Sequence, residues 1–125
     1  MDERRQHIRI KDDLTIEHWP WKNIFVSSSV TENISASGMC FPALQRLEPQ
    51  LRIGLNIYLP GFKEPITSAA EVVWLSEIDN FTYRFKVGVK FLEMPMTHQA
   101  RLLHHLCNKL EEEQAKQPPL DTSST

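Results

Sequence analysis

The chain holds few cysteines, few glycines and no long apolar run, and each scarcity removes a class of protein. Two cysteines, Cys40 and Cys107, cannot build a disulfide scaffold. No apolar segment follows the N-terminus, and no eighteen consecutive apolar residues occur anywhere. Neither a secretion signal nor membrane insertion is therefore expected. A cytoplasmic protein follows, with both thiols reduced and packed as small hydrophobes. Neither sign of charge is in excess: the net charge is -2 and the pI about 6.2. A binder of polymeric DNA or RNA needs a broad basic face, so that class is disfavoured. His98, His104, His105 and Cys107 crowd one segment, yet no His-x-x-x-His or Cys-x-x-Cys spacing occurs, and no metal site is expected. No serine–histidine–aspartate set or carboxylate pair falls on motif positions either, so no enzyme is expected.

What remains is one domain of 125 residues with ordinary globular composition, 41% hydrophobic and 24% charged. Apolar residues recur at even positions from Ile8 to Ile16, a strand interrupted near Lys11-Asp12-Asp13. Trp19-Pro20-Trp21-Lys22-Asn23 reads as a turn, and Ile24 to Glu32 as the returning strand of a hairpin. After Gly38, Met39-Cys40-Phe41 is a short strand and Pro42 to Gln50 a loop. Leu51, Ile53, Leu55, Ile57 and Leu59 alternate strictly, as in a strand with one wet face. Pro60-Gly61 and Asp79-Asn80 are turns. Ile66 to Leu75 is a strand with Ala70, Val72 and Trp74 on one face, Val73 and Leu75 on the other. Tyr83 to Phe91 alternates most cleanly of all. After Pro95 the period becomes helical: Leu102, Leu103, Leu106, Cys107 and Leu110 form one stripe, starting near Met96 with Thr97 as N-cap. That stripe covers an open edge or mouth of the sheet or packs on a partner, a homodimer among those it admits. The architecture is all-β with a C-terminal helix, an antiparallel barrel.

Two polar signatures flank the hairpin. Arg4-Arg5-Gln6-His7-Ile8-Arg9 precedes it, and Asn33-Ile34-Ser35-Ala36-Ser37-Gly38 follows it. Arginine forks match phosphate and the O6/N7 edge of guanine. Asn33 offers one acceptor and an amide, Ser35 a small hydroxyl, and Gly38 a positive φ or a close backbone approach. The set suits a ligand that carries both phosphate and purine. By composition an Arg-x-x-x-Arg spacing arises by chance roughly 0.4 times in such a chain, and Asp/Asn-x-Ser-x-x-Gly roughly 0.02 times. Taken alone, the arginines are a solvated charged tail; both signatures in this order make a joint signal.

On these residues the sequence resembles the PilZ domain, the bacterial receptor module for cyclic diguanylate. Arg4, Arg5 and Arg9 match its arginine motif, and Asn33, Ser35 and Gly38 its Asp/Asn-x-Ser-x-x-Gly motif. Val72 with Trp74, and Gly88-Val89-Lys90-Phe91, match its later hallmarks. The likeness spans about residues 3 to 110; Asn33 stands where aspartate is commoner, with one acceptor oxygen instead of two. The resemblance implies a six-stranded PilZ-type β-barrel at 13–116, a flexible arginine-rich segment at 1–12 and a disordered tail at 117–125. It implies a stand-alone receptor with cyclic diguanylate on Arg4, Arg5, Arg9, Asn33, Ser35 and Gly38, with Trp74 stacking a guanine. No other cofactor is implied. One ligand or a stacked pair would fold the arginine segment over itself and so signal to an effector protein in motility, biofilm or exopolysaccharide control. The alternative is a PilZ-like interaction scaffold that does not bind the nucleotide.

Overall fold

The computed structural model describes residues 9–20, 25–79 and 82–116. The alternating segments become eight strands, followed by one helix: β1 Ile10–Lys11, β2 Thr15–Pro20, β3 Ser27–Val30, β4 Asn33–Ile34, β5 Gly38–Ala43, β6 Arg52–Ile57, β7 Ile66–Glu77, β8 Phe85–Glu93 and α1 Met96–Lys116. All pairings are antiparallel, in the order β1-β4-β5-β8-β7-β6-β2-β3. The result is a half-barrel with a C-terminal helix.

Eight strands stand where six are expected, and the reason lies in the first hairpin. Each of its arms breaks once, at Asp12–Leu14 and at Thr31–Glu32. The pieces before and after each break join opposite ends of the sheet: β1 pairs with β4 beside β5, while β2 pairs with β3 beside β6. The break is held by Thr31, whose amide donates to Leu14 O at 2.9 Å and whose hydroxyl accepts from Leu14 N at 2.9 Å. A hairpin that crosses from one end of the sheet to the other curls the sheet about its core.

Ile16, Ile34, Met39, Phe41, Ile53, Leu55, Ile57, Ile66, Val72, Val87 and Val89 fill that core. Their strict alternation is the cause of the curl's inside and outside. Helix α1 adds Leu102 and Leu106 to the core and leaves Leu103 half exposed. Thr97 is not its N-cap, since the helix begins at Met96; Gln99 N closes the first turn on Pro95 O, and the Gln99 side chain donates to Met94 O. Histidine contacts also pin α1. His98 Nδ1 accepts from Thr67 N at 3.0 Å, and His105 Nε2 meets Asp12 Oδ2 at 2.6 Å beside the break of the first arm.

Among the expected turns, Trp19 and Pro20 instead end β2, opposite Gly54 and Ile53; Trp21 to Ile24 and Asn80 lie outside the described residues. So do residues 1–8 of the expected flexible segment and the 117–125 tail, while Ile10 and Lys11 pair as β1. Among the described residues, no helix is long and apolar enough to cross a membrane.

Candidate functional site

The two signatures meet. Register places Ile10 against Ile34 and Lys11 against Asn33, so β1 lies along the start of the Asn33 signature and Arg9 immediately precedes it. Arg9 Nη1 donates to Asn33 Oδ1 at 2.7 Å, across 24 residues of sequence, at the exposed surface. Arg4 and Arg5 lie outside the described residues.

Ser35 is bonded within its own loop. It is buried, and its hydroxyl accepts from the amides of Ser37 and Gly38 at 3.2 and 3.3 Å. Together with Ser35 N donating to Gly38 O at 2.8 Å, these bonds wind residues 35–38 into a tight turn. Ser35 thus sets the shape of the loop that presents Asn33. Gly38 lies in β5 opposite Lys90, where a Cβ would strike the Val89 carbonyl; close approach, not positive φ, is what requires glycine.

Residues directly opposite one another in an antiparallel sheet share a face. Lys11 faces Asn33, Asn33 faces Cys40, Cys40 faces Gly88, and Gly88 faces Trp74. Their neighbours along the strands, Ile34, Met39, Val87 and Val89, point into the core, so this row lies on the outer face. Three strand spacings, about 14 Å, separate Asn33 from Trp74. Trp74 reaches this face through a bulge. Val72 pairs with Val89 and Trp74 with Gly88, leaving Val73 as the extra residue. Trp74 therefore turns away from the face of Val72 instead of sharing it, and is 40% exposed. Its indole lies on Gly88, where a Cβ would overlap the ring.

The row is floored by small residues, Gly38, Cys40 and Gly88, with the Trp74 indole lying over Gly88. Arg9, Lys11 and Asn33 rim one end and Trp74 the other. Lys90 opposite Gly38 and Lys86 opposite Pro42 stand on either side along β8. Lys86, Glu32 and Cys40 were not among the residues expected from the signatures. Lys86 Nζ meets Glu32 Oε1 at 2.9 Å, and the Cys40 thiol donates to the same carboxylate at 3.7 Å. The ion pair lowers the Glu32 carboxyl and raises the Lys86 ammonium, each first through the hydrogen bond between them. Burial, with Glu32 beside it, pushes the Cys40 thiol up to about 11. It is a protonated, inert floor residue at neutral pH. The signal that would have found Lys86 is alternation: residues 86, 88 and 90 must share a face, and Gly88 marks which one.

Beyond Lys86 the outer face opens into a cleft of about 510 Å³ lined by Thr31, Glu32, Pro42, Asp79 and Tyr83. Charge on the described part of the site is thus mixed: Arg9, Lys11, Lys86 and Lys90 stand near the row, with Glu32 against Lys86 and Glu71 opposite Lys90. Among the described residues, no group of three histidine, cysteine or acidic side chains is placed to hold a metal ion.

The model of the PilZ domain family matches residues 3–108. No protein with a curated description matches the chain. Among solved structures, the motility inhibitor MotI/DgrA of Bacillus subtilis superposes with TM-score 0.73 at 20% identity, covering 93% of this chain and 54% of its own. The PilZ domain of YcgR from Escherichia coli, solved with c-di-GMP, gives 0.65 at 17% identity, covering 89% and 94%. The MrkH–c-di-GMP complex of K. pneumonia gives 0.71 at 16% identity, covering 92% and 56%. The chain spans about half the length of MotI/DgrA and MrkH, and these likenesses establish the fold.

Proposed function

Since the chain belongs to the PilZ domain family, we propose that it is a bacterial receptor for cyclic diguanylate, with the ligand on the outer face of β4, β5, β8 and β7. The observation that carries this reading is the hydrogen bond from Arg9 to Asn33, which joins the arginine and asparagine signatures in one place. The solved c-di-GMP complexes of YcgR and MrkH share the fold and support the same ligand.

In this reading Arg9, with Arg4 and Arg5 before it, grips phosphate and guanine edges through planar forks. Asn33 accepts from a guanine N–H, the turn wound by Ser35 and Gly38 holds Asn33 in place, and Trp74 offers an aromatic face to the second purine. A guanidinium that binds ligand must leave Asn33 or share it. Binding therefore reorganises the N-terminal segment, and the new arrangement is the signal an effector protein reads. The protein acts in the cytoplasm as an adaptor, not an enzyme, in motility, biofilm or exopolysaccharide control.

Titration calorimetry with cyclic diguanylate on this chain and on Arg9→Ala tests the proposal. Saturable binding that weakens in the variant is expected. No heat with either protein would overturn it and leave a scaffold that does not bind the nucleotide. Hydrogen exchange of residues 1–12 tests the switch, which fails if saturating ligand leaves their exchange unchanged.

A further inference from the structure

Helix α1 carries two apolar seams, and the sheet covers one of them. Leu102 and Leu106 are buried against the core. Met96, Ala100, Leu103, Cys107 and Leu110 are spaced by four, three, four and three residues, the spacing of a coiled-coil seam. Met96 is 80% and Leu103 50% exposed, and Ala100 and Cys107 are exposed as well; only Leu110 leans on the core. The single stripe expected from sequence is thus divided, and half of it faces outward.

The charge along the helix says what fits there. The first turn of α1 contains no acidic residue, although helix N-termini favour anions. Glu111, Glu112 and Glu113 crowd the last turns, where the dipole disfavours them. A parallel neighbour would place like charge on like. An identical helix running the other way brings the three glutamates of each copy beside the first turn of the other.

We propose that α1 pairs with the α1 of a second copy of this chain as an antiparallel two-helix seam. In this register Leu103 of one copy lies beside Cys107 of the other, and Ala100 beside Leu110, a small residue against a large one. Gln114 falls opposite Met96 and ends the seam. A seam of about five turns lies at the small end of specific interfaces, so the dimer forms with rising concentration. This pairing does not depend on the nucleotide.

Sedimentation velocity from low micromolar to the highest attainable concentration reads the pairing directly. The chain is expected to pass from monomer to dimer, and Leu103→Asp, at an exposed position, to remain monomeric with unchanged circular dichroism. A chain that stays monomeric throughout overturns the proposal, as does a Leu103→Asp variant that dimerises like the parent. Orientation is read by oxidation. Leu103→Cys is expected to give a disulfide-linked dimer through Cys107 of the other copy, and to lose it in the Leu103→Cys/Cys107→Ser variant. Ready cross-linking of the parent chain through its own Cys107 pair would indicate parallel helices and overturn the antiparallel seam.

Discussion

Arg9 and Asn33 share a hydrogen bond of 2.7 Å at the surface, where two segments 24 residues apart in sequence run side by side. In the free protein this bond is exposed to water and contributes little to stability. In the proposed complex the same guanidinium would sit against a charged ligand, where such a hydrogen bond is stronger. Arg9→Ala is therefore expected to weaken cyclic diguanylate binding roughly tenfold or more. The unfolding free energy should shift by less than about 0.5 kcal/mol. Calorimetry and urea denaturation on the same preparation separate the two effects, and a large loss of stability would make Arg9 a structural residue.

Trp74 and Gly88 form the second pair on that face, the indole lying where a Cβ would be. Gly88→Ala must displace the ring, and overpacking of this kind costs about 1–3 kcal/mol. In a Trp74→Ala background the space is vacant and the cost is expected to fall by more than half. A double-mutant cycle by urea denaturation reads the coupling. Equal costs in both backgrounds would mean that the bulge, not the ring, resists the substitution.

Much of this was legible in the sequence, for reasons that differ by element. The alternations at Leu51–Leu59 and Tyr83–Phe91 placed β6 and β8 because one face of each is buried throughout. The signatures gave the meeting of Arg9 and Asn33, since a hairpin must return its second arm to the start of its first. Trp74 was placed on the wrong face, because a bulge at Val73 inserts one residue and inverts every later side chain, and a period-two count does not register it. The interruption near Lys11–Asp13 was legible, but the break at Thr31–Glu32 was not, and the count of six missed that the pieces of each arm pair with different neighbours. Ser35 could not be told from a ligand contact: its hydroxyl has the right chemistry for either task, and only the turn geometry shows it bonded to its own loop.

Asp12 links the broken arm to the helix. Its carboxylate and His105 are each largely buried, at 2.6 Å, with Lys109 Nζ at 3.7 Å. Asp12→Ala removes an acceptor from two cationic or hydrogen-bonding partners and is expected to cost about 1.5–3 kcal/mol. The loss should appear first as faster hydrogen exchange in α1, since Asp12 holds the helix through both His105 and Lys109. Exchange accelerated uniformly across the sheet instead would place the role of Asp12 in the hairpin alone.

The two thiols should differ in reactivity. Cys107 is exposed and Cys40 is buried with its thiol held near 11. Thiolate is the reactive form, so one equivalent of a thiol reagent is expected to react with the folded chain at mildly alkaline pH, and two after denaturation. Rapid labelling of Cys40 in a Cys107→Ser variant would show that the floor of the site opens in solution.

His18 gives the fold an acid limit. Its imidazole projects into the core from β2, with the Phe41 ring 4.9 Å away, and burial lowers it from 6.5 to about 4. Between those values the unfolded chain takes up a proton that the folded chain excludes. Its contribution to stability is therefore complete above about pH 6.5, declines as the pH falls, and is gone below about 4. The loss over that window is on the order of 3 kcal/mol. His18→Leu, close in volume and unable to protonate, is expected to remove it. Urea unfolding of both proteins at about pH 7 and about pH 4.5 reads the difference, which should be smaller in the variant by most of that amount. An undiminished acid loss in His18→Leu would mean that carboxylates set the limit instead, with Glu32, lowered by its hydrogen bond to Lys86, the first to examine.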